Sequence, residues 1–504
     1  MKRLALDRWL VLLAVVIALA AEAAGQARGG AAYRYKVAWA TYVGGGGWEQ
    51  VREVIPYADG SVLIGGQTNS ADLRVTPGAV QRTYGGETEG TGHPGVYGGD
   101  CFLMHLSADG SRAIACTYFG GPKQERNVYG MGLDANGNVV ITSACRSPDM
   151  PTTEGAFQRR YGGAPSDWMV AKLSPDFRRL LWCTYVGGAG DDFPRGGLAI
   201  DANDNVFIVG GTNSQDFPTT PGAYQRRCGK RSAAVVKLSP DGSRMLWGTL
   251  LGGSTWAGSM GVRVDGAGGV HFVGHTRDGD LAVTAGAPQA KLGGKSDCFL
   301  AGLSADGGRL IYCTYLGGGE NEFAEHRPLL MADGSVLVTG VSASADFPTT
   351  ARAYQRKLKG RTDGFLTKLA PDGRRFAFST LLGGSGGDFF LMPTLDPAGN
   401  IFIVGQTSSK DFPTTAGAIQ PTFGGGKGDG VLAVLSADGG KLLYATYLGG
   451  AGDDMIRSIA ITDTGEVFLV GNTGSKDFPA TRGSHQTKLR GTGDGYVVKL
   501  VRSR

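Results

Sequence analysis

A five-residue signature, Thr-x-x-Gly-Gly, begins at Thr41, Thr117, Thr184, Thr249, Thr314, Thr380 and Thr446. The successive spacings are 76, 67, 65, 65, 66 and 66 residues. A period of this length restricts the chain to an array of like units, each stacked on its neighbours. Other landmarks keep step. Aspartates recur at Asp72, Asp149, Asp216, Asp280, Asp346, Asp411 and Asp477. A glutamine follows each one nine residues later: Gln81, Gln158, Gln225, Gln289, Gln355, Gln420 and Gln486. The longer first spacing reflects extra residues within Glu87–Gly99.

Each unit reads as four short strands. In the third copy, Gly197–Asp201 and Asn205–Gly210 flank the turn Ala202-Asn203-Asp204, a hairpin pattern. A long segment, Thr212–Arg231, precedes Ala233–Leu238, the turn Pro240-Asp241-Gly242, and Arg244–Leu251. No stretch keeps a helical period, and 85 glycines among 504 residues oppose helix. Four-stranded units at a fixed period predict an all-β fold, a seven-bladed β-propeller. Tyr33–Val43 looks like a displaced fourth strand, because Trp39-Ala40-Thr41 matches Trp182-Cys183-Thr184. The last repeat ends on a third strand, Tyr496–Leu500. Pairing the two strands would close the ring and remove two exposed edges. The predicted repeats are 44–119, 120–186, 187–251, 252–316, 317–382, 383–448 and 449–504 within a propeller of 33–504, with 33–43 closing the last blade.

Thr314-Tyr315-Leu316-Gly317-Gly318 and Asp216-Phe217-Pro218-Thr219-Thr220 are similar to the motifs of the SBBP family, the bacterial seven-bladed β-propeller repeat. The resemblance runs from Tyr33 to Leu500. It implies an exported bacterial protein and carries over a fold without catalytic residues.

Export is also expected from the N-terminus. Lys2, Arg3 and Arg8 precede an apolar stretch, Trp9–Ala21, and Ala21-Glu22-Ala23 offers a signal-peptidase site. The stretch has 13 residues, short of the roughly 20 a membrane-spanning helix needs. Residues 1–23 therefore read as a signal peptide and 24–32 as a short linker, with no membrane span once the signal is removed. The mature chain is expected outside the cytoplasm, secreted or in the periplasm and cell envelope, as a monomer. A formal charge of +5, from 50 basic and 45 acidic residues, gives no electrostatic reason to expect nucleic acid. Seven cysteines in an exported chain invite pairing. Cys101 and Cys298 each open a third strand, and Cys116 and Cys313 lie fifteen residues further on. Disulfides Cys101–Cys116 and Cys298–Cys313 are expected, with Cys145, Cys183 and Cys228 unassigned.

The long connections of every repeat fall on one face of a propeller, and long loops on a rigid frame carry function. Eight residues after each repeat threonine stand Glu49, Glu125, Asp192, Glu322, Asp388 and Asp454, with Ala257 in the fourth copy. These acids could ring the channel mouth and hold a hard cation such as calcium, or each could cap its own turn. No other cofactor is implied. The Asp-x₈-Gln pairs are expected to be structural. Trp48 and Trp256 break the repeat and could stack on a sugar or grip a peptide, or pack between blades. Arg263 and Arg327 fall in first strands and could line the channel or pair with Glu53. His271 and His275 lie four apart on a strand, and there is neither a nucleophile elbow nor His-Glu-x-x-His. The expected function is a non-enzymatic propeller that binds an extracellular protein or glycan on the long-loop face. The alternatives are a structural envelope module and a polysaccharide hydrolase or lyase. The last would need two carboxylates about 5–10 Å apart at the mouth, one with a raised pKa.

Overall fold

The computed structural model describes residues 33–87, 98–163, 165–195 and 197–503. The expected signal peptide and linker lie outside them, as do residues 88–97 of the first-repeat insertion. The described residues form seven antiparallel sheets and no helix. In blade 1, Glu49–Pro56, Val62–Thr68, Asp100–Leu106 and Ala113–Phe119 lie side by side in chain order. Blades 2 to 6 repeat this order. The inner strand is broken in blade 3 (Asp192–Phe193, Leu198–Ile200) and in blade 5 (Glu322–Phe323, Leu329–Leu330). Blade 7 contains Asp454–Ile461, Val467–Thr473 and Asp494–Arg502 from the end of the chain. Its outer strand is Tyr35–Val43, with Tyr42 opposite Tyr496 and Val43 opposite Gly495.

Strands such as Val139–Cys145 are buried along their whole length, because each blade is covered on both faces by its neighbours. Seven apolar clusters result, one at each of the seven junctions. The cluster between blades 7 and 1 brings Trp39, Phe468 and Val470 against Val51, Ile64, Phe102 and Tyr118. An open arc would have six junctions, so this cluster shuts the ring. Tryptophans lock blade to blade on the short-turn face. Trp39 Nε1 donates to Ala108 O at 2.9 Å, Trp182 Nε1 to Pro240 O at 3.0 Å and Trp247 Nε1 to Ala305 O at 2.9 Å. Trp39 covers Gly110, where φ is +67° and an added Cβ would sit 2.5 Å from the indole. Only glycine suits such a turn.

The structure corrects the expected disulfides, for all seven cysteines are free. Cys101 lies opposite Phe119 and Cys116 opposite Met104. The two thiols are thus offset by three residues, about 10 Å along the strand. An odd offset also sends them to opposite faces: Cys101 enters the core between blades 1 and 2, Cys116 that between blades 7 and 1. Cys298, opposite Leu316, and Cys313, opposite Ala301, repeat the arrangement in blade 4.

Candidate functional site

The six recurring acids do not ring the mouth. Glu49, Glu125, Asp192, Glu322, Asp388 and Asp454 are all buried. Each accepts the N–H of the second glycine of its own Gly-Gly pair, at 3.0 Å for Glu49 and Gly45 and at 2.7–2.8 Å in the other five. Hydroxyls of the second strand's end complete the shell: Thr68 and Ser70 on Glu49, Ser214 on Asp192, Ser342 on Glu322, Thr407 and Ser409 on Asp388, Ser475 on Asp454. The recurring glutamine completes the turn, its Oε1 accepting the first glycine's N–H in all seven copies at 2.8–3.1 Å. These residues cap turns, as one sequence reading held, and the calcium ring is not formed. Among the described residues no three His, Cys, Asp or Glu side chains are placed to hold a metal ion.

A second carboxylate faces each of these acids, a partner the sequence reading missed. It opens the third strand: Asp100, Asp167, Asp297, Asp363, Asp429 and Asp494, all fully buried. The first glycine of each pair is clamped between the two groups. At Gly120 an added Cβ would lie 2.5 Å from both Asp100 Oδ1 and Glu125 Oε2. Burial, reinforced by the mutual repulsion, pushes Asp100 and Asp167 up to about 7 and Asp297 and Asp429 to about 6. Glu49 likewise rises to about 7, and Asp192 and Asp388 to about 6. The pair between blades 3 and 4 lacks both members, having Ser232 and Ala257. There Asp278 replaces the usual serine and accepts Gly253 N at 2.9 Å and the Thr255 and Trp256 N–H groups at 2.6 Å.

The accessible chemistry lies elsewhere on the same face. A cavity of 440 Å³ opens at the channel mouth across blades 2, 3 and 4. Its residues come from the beginnings of inner strands and from the ends of the second-to-third connections, so it belongs to the long-loop face. Arg126, Arg146, Arg195 and Arg231 line it, with Asp191 the carboxylate among them. Tyr129, Phe193, Trp256 and His275 supply aromatic walls. Arg126 lies 5.1 Å from the Phe193 ring centre, and Arg231 5.8 Å from that of Trp256. The His275 and Trp256 rings are 4.4 Å apart. Burial and then the Arg195, Arg277 and Arg231 charges push His275 down to about 3, so it stays neutral. Arg231 meets Asp191 at 3.4 Å and Arg195 meets Glu325 at 3.7 Å.

Beneath the cavity the channel is closed by charge. Glu325 of blade 5 bonds Arg52 of blade 1 at 2.9 Å and Arg457 of blade 7 at 3.4 Å, besides Arg195 of blade 3. Burial alone would raise its pKa, but these guanidinium groups hold it well below the usual carboxylate range. Arg327 pairs with Glu53 at 2.7 Å, as the second sequence reading held. Arg263 is pushed down to about 9 by burial and by Arg327. Arg263 and Arg327 thus belong to the channel plug. Of the two tryptophans singled out, Trp256 lines the cavity and Trp48 does not; Trp48 bridges to Gly493.

Arg126, Arg146 and Arg231 were missed by the sequence reading, although a signal exists. Arg146 and Arg277 stand where other copies have Asn69, Asn213, Ala343, Ser408 and Gly474. Arg231 stands where the others have glycine, serine or threonine. Such breaks cluster in blades 2 to 4, around the cavity.

The fold and site together define a closed seven-bladed propeller with a plugged channel and a basic, aromatic mouth. A family model described as SBBP, beta-propeller repeat, matches residues 181–218, and the chain is a seven-bladed propeller carrying that repeat. No curated protein matches it. Among solved structures, a protein of unknown function from Dyadobacter fermentans is similar at 9% identity and a TM-score of 0.42, over 93% of this chain and 99% of that one. BamB of Moraxella catarrhalis is similar at 12% identity and a TM-score of 0.36, over 92% and 99%. Raptor of Chaetomium thermophilum is similar at 8% identity and a TM-score of 0.47, over 94% of this chain and 30% of that one. None of the three likenesses carries a functional argument. Among the described residues no helix is long and apolar enough to cross a membrane.

Proposed function

We propose that this is an exported, non-enzymatic propeller, monomeric, that binds an extracellular protein or glycan in the cavity at its long-loop mouth. The observation that carries the reading is the cavity itself: 440 Å³, walled by aromatic rings and arginines, within the size range of ligand pockets. The plug of Glu325, Arg52, Arg195 and Arg457 makes it a pocket with a floor. The hydrolase alternative needs a raised-pKa carboxylate that a substrate can reach. Twelve of the raised carboxylates are sealed in the Gly-Gly turns, and Glu53, also raised by burial, is buried in the channel plug against Arg327. A screen of the mature protein on glycan and peptide arrays tests the reading. We expect a ligand whose binding falls at least about tenfold in Trp256→Ala, since a pocket aromatic is a typical energetic anchor. An array without a binder, or a Trp256→Ala protein that binds as well as wild type, would overturn the assignment.

A further inference from the structure

We propose that the ligand of this cavity is an acidic glycan, held through the carboxylate of a uronate residue. The inference rests on the reading of the cavity as the binding site and adds the chemical class. Four guanidinium groups line the cavity against one carboxylate, Asp191. No ion pair joins Arg126 or Arg146 to a carboxylate among the described residues, and the Nε atoms of Arg126, Arg146 and Arg231 are buried without a hydrogen-bond partner. The lining therefore carries a net positive charge, which favours an anionic guest. The plug below adds Arg52, Arg263, Arg327 and Arg457 to the field and only Glu53 and Glu325 against it. Phe193 and Trp256 already hold Arg126 and Arg231 in place. Less rotamer freedom is then lost when their planar forks meet a carboxylate.

Two further groups separate an acidic sugar from other anions. Asp191 accepts from Ser166 Oγ at 2.7 Å and from Arg231 at 3.4 Å, leaving acceptor capacity within a basic pocket. His275, kept neutral, lines the cavity beside Trp256, the two rings 4.4 Å apart. A uronate brings one carboxylate to the arginines, several hydroxyls to Asp191 and a ring face to Trp256 and His275. A run of acidic peptide side chains brings carboxylates alone, and Asp191 repels them. Inorganic phosphate satisfies the forks but leaves most of the 440 Å³ unfilled.

Titration calorimetry on the mature protein tests this with a tetramer of galacturonate, its methyl ester, a hexaglutamate peptide and inorganic phosphate. The acid tetramer is expected to bind. Its ester should bind at least about tenfold more weakly, because the charge-assisted bonds are lost. Binding should weaken between 50 and 500 mM salt, roughly as the Debye length shortens. Arg126→Gln and Arg146→Gln should each cost about tenfold. The wild-type comparison of acid with ester stands on its own should either variant fold poorly. Equal binding of acid and ester would overturn the uronate inference while the binding reading survives. Tighter binding of hexaglutamate would assign an acidic peptide instead, and phosphate matching the tetramer would leave a bare anion site. A tetramer that does not bind, beside an array ligand that does, would overturn this inference alone. A protein that binds nothing on either array would overturn both readings.

Discussion

Asp278 shows what the recurring acids do. Where blade 4 has lost the inner-strand acid to Ala257, the carboxylate reappears on the neighbouring strand at the position of the usual serine. It reaches the same backbone donor, the N–H of the second glycine, Gly253. The turn needs a buried acceptor, and which strand supplies it is secondary. Asp278→Ser should therefore strand the Gly253 and Trp256 N–H groups, while the serine takes the Thr255 N–H as Ser70 takes that of Gly47 and Ser214 that of Gly190. It should destabilise the protein by about 2–6 kcal/mol, from about 1–3 for each donor left unmade. Adding Ala257→Asp should recover over half of that loss. Urea denaturation of the single and double variants checks this, and a neutral single variant would contradict it. The same sealing forecasts that calcium and chelator leave the melting temperature unchanged, because a cation stabilises only through a site that binds it in the folded state. The positions of these acids were legible in the sequence, but their depth was not. A repeated carboxylate looks the same whether it faces water or a buried amide. The cavity arginines were illegible for the opposite reason. Recurrence picks out architecture, whereas Arg146 and Arg231 matter because their counterparts in the other blades differ.

Blade 7 is built from both ends of the propeller, and this element was fully legible. Trp39 sits before its threonine as Trp182 does, and its indole makes the same bond to the next blade's turn. Trp39→Ala should cost about 3–5 kcal/mol, as for other buried aromatic truncations. Deleting residues 33–43 should be worse, since it bares the edge of Asp494–Arg502 and opens the apolar junction between blades 7 and 1. Thermal melts and size-exclusion chromatography read the result; a monomeric deletion variant with wild-type stability would refute the closure. The cysteines failed at this same scale. Spacing across a hairpin shows which strands face one another but not their register. A bulge between His105 and Leu106 shifts the ladder of blade 1, and that shift leaves Cys101 opposite Phe119. Mass mapping without reductant is expected to find neither Cys101–Cys116 nor Cys298–Cys313 linked.

Across the whole molecule the buried carboxylates make stability depend on pH in an unusual sense. Glu49, Asp100 and Asp167 are pushed up to about 7, and Asp192, Asp297, Asp388 and Asp429 to about 6, chiefly by burial. In the unfolded chain such groups titrate near 4. The folded state therefore binds more protons between roughly pH 4 and 7, and its stability falls as pH rises through that window. Buried histidines act in the opposite direction. His275 is pushed down to about 3, and His105, His326 and His485 are also lowered, in each case first by burial. Their unfolded pKa is about 6.5, so the stability they contribute is lost as pH falls below that value. Glu325, held low by its arginines, adds a loss once pH falls below about 4.3, the unfolded glutamate value. From pH 8 to about 6.5 the carboxylates act alone and acidification stabilises; below that four histidines oppose seven carboxylates without outweighing them, so stability goes on rising until the unfolded carboxylates protonate, and the maximum falls near about pH 4. Melting temperatures measured from about pH 3.5 to 8.5 should rise by several degrees on acidification from the alkaline end and turn over near about pH 4. A maximum at or above about pH 8 would mean that the carboxylate pairs are not buried as described. A maximum near about pH 6 would mean that the histidines outweigh the carboxylates, so that several of the carboxylates are hydrated. Asp100→Asn should flatten the alkaline limb, since it removes one of the raised groups and its repulsion with Glu125, while leaving the turnover near about pH 4 in place.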